Sequence, residues 1–348
     1  MPRSNNIPTS HPRTSRTGRL TTLLLLAAVL TISACMSVTG KPVPSNDPTT
    51  GDPPEYAAEL SDDDRATLAY FAMIRSLDPC GFLDETAMQK LGVLRKFDAS
   101  QSPGDCEAWI EVDRDSNKQL EVRTTIYPKD NGYAKKAKPI TVAGQQIAEA
   151  IEYGPGEAKG NNSCRNLIPF DDRSSLFIQV FRRTNDAPCA EAHRIVEASL
   201  GLLHRRPQRM DSTKKARHAV SLKDPCEALG TLSEEHQITL SSGTQVRECS
   251  FQVGSAADAR TIKLDWTTLS TYDNPYGGRQ TTVEGRKAIE SQPGRTCRVE
   301  VFVPDPSDGI QYDPVGDPRY TSSTVAATAK TCAIATETAS LAVRTFLQ

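Results

Sequence analysis

Cysteine is the residue type whose number and spacing most clearly imply chemistry in this 348-residue chain. Nine cysteines are present. Cys35 stands alone near the start, and the other eight form two groups of four, each with a short, a long and a short interval. An even number of cysteines in an exported chain is typical of disulfide bonds. Three pairings can be drawn within each group of four, and the repeated spacing favours one of them. The predicted disulfides are Cys80–Cys106, Cys164–Cys189, Cys226–Cys249 and Cys297–Cys332.

The other residue types that catalyse reactions or bind metals form no familiar pattern. Sequence motifs of the Cys-x-x-Cys, Gly-x-Ser-x-Gly, His-Glu-x-x-His and P-loop kinds are absent. Residues 113–117 resemble the start of a calcium loop, but Lys118 and Thr124 stand where that loop needs Gly and Glu. We therefore expect no catalytic residue, no metal site and no cofactor. The histidines after Cys35 lack metal-ligand spacing, and we expect them to be exposed or at helix ends: His193, His204, His218 and His236.

The first 34 residues have the three parts of a secretory signal. A basic stretch without acids precedes the apolar run Leu20–Ile32, and small residues follow it. The run is shorter than the roughly 20 residues that span a bilayer, so an uncleaved signal anchor is the less favoured alternative. The ending Ile-Ser-Ala-Cys35 resembles a bacterial lipobox, whose cysteine receives diacylglycerol and becomes the N-terminus after cleavage. We predict a lipoprotein signal peptide at residues 1–34 and lipid attachment, including palmitate, at Cys35.

Residues 35–55 are rich in proline and have no apolar period, which predicts an extended tether between the lipid and the folded part. Two acyl chains would give stable membrane attachment. The whole chain has 41 basic and 43 acidic residues, and four of the basic ones precede Cys35. The mature chain is therefore acidic, which disfavours a nucleic-acid partner. We expect a protein on the outer face of the cell membrane.

The rest of the chain reads as two copies of one unit. The landmarks of the first half recur in the same order in the second half, and chance rarely preserves such an order. We predict two homologous domains, at residues 56–204 and 219–348, joined by a basic linker at residues 205–218. The matching landmarks are Asp-Pro-Cys80 and Asp-Pro-Cys226, Cys106 with Trp109 and Cys249 with Phe251, and Thr-Val-Ala-Gly144 and Thr-Val-Glu-Gly285.

Hydrophobic periodicity predicts that each domain is α+β, with an antiparallel sheet and helices at its start and end. Each Asp-Pro-Cys is expected to open a helix, because Asp caps a helix start and Pro suits its first position. Residues 120–126 and 262–266 alternate as half-buried strands, and residues 192–203 and 332–346 have one apolar helical face. We expect the basic linker to be solvated, with contact to anionic lipid headgroups as the alternative.

The lipobox, the Pro-rich tether, the Asp-Pro-Cys motif and the Cys106-x-x-Trp109 spacing together resemble a large family of actinobacterial lipoproteins whose domain has no assigned function. The resemblance covers both halves, so the chain looks like a tandem version with two disulfides per domain. The second half departs from the motif at Phe251, which follows Cys249 by two residues. The family supplies no catalytic residue to carry over.

These observations favour a non-catalytic binding or sensor module of the cell envelope, whose partner is an envelope protein, a cell-wall component or a small ligand. Two alternatives stay open. The first is a carrier of lipids or hydrophobic ligands, which needs a continuous apolar cavity. The second is an envelope hydrolase whose catalytic residues are distant in sequence.

Overall fold

The computed structural model describes residues 53–100, 102, 104–112, 119–128, 137–152, 162–182, 186–214, 220, 223–254, 257–273, 275, 277–303, 310–311 and 320–347. The predicted signal peptide, Cys35 and most of the predicted tether lie outside these residues. The described residues belong to one compact unit. Among them, no helix is both long and apolar enough to cross a membrane.

The described residues of the first domain form three α-helices and seven strands. In chain order they are α1 Asp62–Ser76, α2 Glu85–Gln89, β1 Val93–Ala99, β2 Cys106–Glu111, β3 Gln119–Pro128, β4 Lys138–Val142, β5 Gln145–Glu152, β6 Asn162–Pro169, β7 Ser174–Arg182 and α3 Cys189–Leu203. Short 3-10 helices cover Glu55–Ala57 and Cys80–Phe82.

The second domain repeats this plan with smaller changes. Its elements are α4 Leu229–Ser233, β8 Ile238–Leu240, β9 Glu248–Val253, β10 Ala259–Thr268, α5 Leu269–Asp273, β11 Gly278–Val283, β12 Arg286–Ser291, β13 Cys297–Phe302, β14 Ile310–Gln311, β15 Tyr320–Ala329 and α6 Cys332–Phe346. A 3-10 helix at Arg209–Asp211 precedes them.

The two sheets have the same topology. The strand order is β1-β2-β3-β7-β6-β5-β4 in the first and β8-β9-β10-β15-β13-β12-β11 in the second, with the extra β14 paired to β15. Every pairing of neighbouring strands on these two paths is antiparallel. Counted from the start of each domain, the positions match one for one, since β14 lies off the path. The α+β class and the presence of two similar domains are thus confirmed.

Disulfides and turns occupy equivalent places in the two copies. The four predicted cysteine pairs all lie at bonding distance, with Cα atoms 4.9–5.1 Å apart. In each domain one disulfide joins the Asp-Pro-Cys turn to the second strand, and the other joins the sixth strand in chain order to the first residue of the closing helix. The shared Thr-Val-x-Gly motif forms the hairpin turns at Ala143-Gly144 and Glu284-Gly285, where all four residues have positive φ. Glycine is favoured at the second turn position because it adopts positive φ without steric cost.

The predicted local patterns explain most of the elements. Leu120 and Val122 of β3 are fully buried, as are Ile195 and Val196 of α3. Asp84 caps α2 by accepting a hydrogen bond from the N–H of Ala87 at 2.8 Å. The predicted helix at Asp-Pro-Cys is wrong in one respect: the first copy forms a single 3-10 turn there, and the second forms a turn before α4. The Asp carboxylate binds the N–H two residues on, which favours a tight turn over a continuing helix.

Helix α1 belongs to both hydrophobic cores. Leu68, near its middle, packs in the core of the second domain together with Ala57 and Leu60. Phe71 and Ile74, one turn and two turns later, pack in the core of the first domain. The second domain therefore draws part of its core from the start of the described chain.

Candidate functional site

The junction between the two domains is held by a buried ion pair. Arg75, near the end of α1, donates from Nη2 to Oδ2 of Asp224 in the second Asp-Pro-Cys turn, and their side chains are only 6% and 14% exposed. Arg75 also donates from Nη1 to the carbonyl of Val246 at 3.1 Å. The Tyr56 hydroxyl donates to the same Asp224 oxygen at 2.6 Å. Burial, and then the Asp224 charge, raise the pKa of Tyr56, so this hydroxyl stays protonated and remains a donor.

The two Asp-Pro-Cys turns have the same internal hydrogen bond, but their aspartates differ in the contacts they make outside the turn. Asp78 accepts from the N–H of Cys80, and Asp224 accepts from the N–H of Cys226, each at 3.0 Å. The second oxygen of Asp224 is free of this turn and binds Arg75 across the junction. The duplicated motif has therefore acquired a role between the domains in one copy.

The predicted basic linker contributes directly to the junction. The carbonyl of Pro207 accepts the N–H of Asp78 at 2.8 Å, and Gln208 forms a β-bridge with Leu77. Arg209 is only 7% exposed, and its Nε donates to the carbonyl of Arg75 at 3.3 Å. The expectation of a solvated linker is thus wrong for Arg209, because the chain folds back against the first Asp-Pro-Cys turn.

Two cavities lie beside this linker segment. The first has a volume of about 290 Å³ and is lined by residues from both domains, including Leu77, Asp105, Thr125, Arg209, Arg247 and Lys263. The second, of about 440 Å³, is lined by residues that include Tyr56, Ala72, Arg75, Arg209, Met210 and Asp224. Arg209 contributes to the walls of both. We refer to the first as the junction cavity.

The electrostatics of the junction cavity are dominated by positive charge. Burial, and then the nearby charges of Arg209 and Arg75, lower the pKa of Arg247 to about 9, although Asp105 and Asp224 oppose the change. Burial also lowers the pKa of Arg209, although Asp78 and Asp105 oppose the change. Burial raises the pKa of Asp105, which makes its negative charge less favourable. The cavity thus combines two buried arginines, whose pKa values are lowered, with a buried acid, whose pKa is raised.

A second polar cluster lies on the sheet face opposite the helices of the first domain. Glu107 is completely buried and accepts from Lys96 Nζ at 2.9 Å, while Glu121 on the neighbouring strand pairs with Arg123. Burial alone would raise the pKa of Glu107, but the Lys96 ammonium lowers it below its ordinary value. Burial raises the pKa of Glu121 to about 7; Arg123 opposes the rise and Glu107 adds to it. The pKa values of the two neighbouring carboxyl groups are therefore shifted in opposite directions.

The histidines do not assemble a catalytic or metal site within the described residues. His193 binds Glu149, with Nε2 and Oε2 2.6 Å apart, and lies close to the sulfur of Cys164. Since Cys164 is disulfide-bonded to Cys189, its sulfur is not a thiolate ligand. The same holds for Cys297 and Cys332, which lie near Glu290. His204 and His236 are exposed as expected, and His193 is partly exposed.

The sequence predicted the disulfides but missed the residues of the junction. No motif or spacing in the sequence indicates that Arg75 and Arg247 lie at the junction between the domains. The basic composition of residues 205–218 is typical of a solvated linker, so it gives no indication that Arg209 is buried. His218 and the calcium-like residues 113–117 lie outside the described residues.

Comparisons with known proteins add no further assignment. No protein-family model, curated protein or solved structure matches this chain.

Proposed function

We propose that this protein is a membrane-anchored extracytoplasmic lipoprotein that acts as a non-catalytic binding or sensor module in the cell envelope. The observation that carries the proposal is the junction cavity, whose walls come from both copies of a disulfide-bonded domain. Binding sites are commonly found at such domain junctions. The buried pair of Arg75 and Asp224 fixes the relative position of the two walls, so the cavity is preformed.

The character of the cavities favours this proposal over a carrier of hydrophobic ligands. Such a carrier needs a continuous apolar cavity, whereas arginine lines the junction cavity and the larger one beside it. The cavity next to the carboxyl pair, of about 150 Å³, also has charged walls, formed in part by Glu121, Arg123 and Arg182. The envelope-hydrolase alternative has less support, because the sulfur beside the His193–Glu149 pair belongs to Cys164, whose disulfide bond prevents it from acting as a nucleophile.

Membrane attachment is tested by expressing the full chain in an actinobacterial host. We expect the protein to be recovered with the membrane fraction and to enter the detergent phase on Triton X-114 partitioning. Cys35→Ala should abolish both behaviours, because it removes the thiol that receives the lipid. Ser37→Ala, two residues away, serves as the control and should leave attachment unchanged. A Cys35→Ala protein that still enters the detergent phase would contradict the anchor.

Binding without catalysis is tested on the full chain purified in detergent from the same host. The protein is incubated with the small-molecule fraction of an envelope extract, and bound species are detected by native mass spectrometry. We expect at least one small molecule to be retained and to be released chemically unchanged. Release of an altered molecule would indicate an enzyme. A protein that retains no small molecule, neither on purification nor from the extract, would contradict a small-ligand binding module.

A further inference from the structure

Arg209 is the residue that indicates what the junction cavity binds. Arg209 is only 7% exposed. Among the described residues, the one hydrogen bond that its guanidinium donates runs from Nε to the carbonyl of Arg75. Asp78 and Asp105 are near enough to affect its pKa, but neither forms an ion pair with it. A guanidinium has five N–H donors in a planar fork, so a buried one with a single acceptor is well suited to bind an anion.

Further positive charge surrounds this guanidinium. Arg247 and Lys263 line the same cavity, and Lys263 is paired with Asp265 at 2.5 Å. Burial, and then the charge of Arg209, lower the pKa of Arg247, and a bound anion would offset the repulsion between the two guanidinium groups. Asp105 is the acid in the wall, and burial raises its pKa. The lining has three cationic side chains, Arg209, Arg247 and Lys263, and one acid, so its balance of charge favours a negative ligand over a positive one.

The cavity also has an apolar part, beside the polar side chains of Ser102, Thr125 and Gln245. This part is lined by Ile74, Leu77, Ile126 and Tyr127 from the first domain and by Val246 from the second. The volume of about 290 Å³ is at the small end of the range for ligand sites. An inorganic ion would leave the apolar wall uncovered, so a ligand with both a charged head and an apolar body fits the cavity better.

We infer that the junction cavity binds a small organic anion, whose carboxylate or phosphate head contacts Arg209 and Arg247 and whose short apolar body packs against Ile74 and Val246. This inference rests on the proposed binding function and specifies its ligand class. Carboxylate and phosphate each present two acceptor oxygens that a guanidinium can bind through two parallel hydrogen bonds. Because the ligand would contact both domains, it would stabilise the junction between them.

The test uses four probes with nearly the same apolar body and different heads. Phenylacetate and phenyl phosphate carry the two candidate anions, phenylacetamide is a neutral isostere, and benzylamine is a cation. Each is titrated into the detergent-purified full chain by isothermal calorimetry, with detergent alone as the blank. We expect at least one anion to bind at least tenfold more tightly than either the amide or the amine. The stronger of the two anions identifies the head group.

Variants locate the site. Arg209→Gln and Arg247→Gln should each weaken binding of the better anion at least tenfold, and Arg209→Lys should have an intermediate effect because it keeps the charge without the fork. Arg344→Gln is the charge-matched control, since this exposed arginine lies on α6 and pairs with Glu284; its effect should be less than twofold. Thermal unfolding of each variant checks that it is folded, and Arg247→Gln suffices if Arg209→Gln does not fold.

Two results would overturn the inference. The first is that neither anion binds more tightly than the amide and the amine. The second is that the folded variants at Arg209 and Arg247 bind the anion within twofold of the unmodified chain. Either result leaves the proposed function standing if native mass spectrometry of the same preparation shows another small molecule retained, so the two failures are distinguishable.

Discussion

Arg75 and Asp224 are 149 residues apart in the chain and form a buried ion pair that joins the two domains. A buried pair contributes little net stability when compared with apolar residues of the same size, but breaking it by removing one partner is costly. The pair therefore specifies how the domains meet more than it adds to the free energy of unfolding.

The first prediction concerns this pair. Asp224→Asn keeps the acceptor for the N–H of Cys226 but leaves the Arg75 charge buried without its counter-ion. We expect the free energy of unfolding to fall by about 3 kcal/mol, measured by chemical denaturation. The double variant Arg75→Met with Asp224→Asn should lose less free energy of unfolding than the two single variants lose when their losses are added. Asp78→Asn is the matched control because it caps the equivalent turn without an ion pair, and its effect should be smaller.

The second prediction concerns pH. The pKa of Glu121 rises from an ordinary 4.5 to about 7 on folding, so its contribution to stability is complete below pH 4.5 and is lost as the pH rises through 7. Glu121→Gln removes this loss, because the amide stays neutral beside Glu107. At about 1.4 kcal/mol per pKa unit, the variant should gain on the order of 2 kcal/mol relative to the unmodified chain between pH 5 and pH 8.

The measurement is a series of denaturation curves across that pH range. Glu111→Gln, which changes the same charge on β2, should show no such pH-dependent gain. The opposite slope, with Glu121→Gln losing stability as pH rises, would show that Glu121 is ionised at neutral pH.

The third prediction uses two glycines. A Cβ at Gly81 would collide with the ring of Pro207, whereas a Cβ at Gly201 in α3 would meet no atom within 4 Å. We expect Gly81→Ala to destabilise the protein by about 1–3 kcal/mol through overpacking. Gly201→Ala should stabilise it by about 0.5–1 kcal/mol, because alanine favours a helix. Thermal unfolding of both variants measures the difference, and equal effects would mean that the linker does not pack on the first Asp-Pro-Cys turn.

The fourth prediction concerns cooperativity. The chain has two tryptophans, Trp109 in β2 and Trp266 in β10, so Trp109→Phe and Trp266→Phe variants report on one domain each. Because α1 packs in both cores, we expect the two domains to unfold in a single transition. Leu68→Ala should shift both fluorescence curves equally, by about 2–5 kcal/mol, although Leu68 contacts only the second core. Ile195→Ala in the first core is the control. Two separated transitions would contradict a shared helix.

The repeated parts of this fold could be predicted from the sequence. Leu120 and Val122 alternate with polar neighbours on β3, and the cysteine intervals repeat in both halves, so each local pattern pointed to the same answer twice. The Thr-Val-x-Gly turns were visible for the same reason. Duplication supplies an internal comparison that a single sequence normally lacks.

The junction could not be predicted because it breaks that repetition. Asp78 and Asp224 have the same sequence context, and only the fold shows that Asp224 alone meets Arg75. Arg209 lies in a segment whose basic composition is typical of a solvated linker, and its burial depends on the backbone bond between Asp78 and Pro207. Contacts over such separations leave no periodic signal in the chain.

The shared helix has a mechanical consequence. Tyr56 and Leu68 fasten the beginning of the described chain to the second domain, while the end of the same helix is fastened to the first. Force applied to the segment before Pro53 would reach both copies at once instead of unravelling them one after the other. We therefore expect the two domains to resist force applied at that end together.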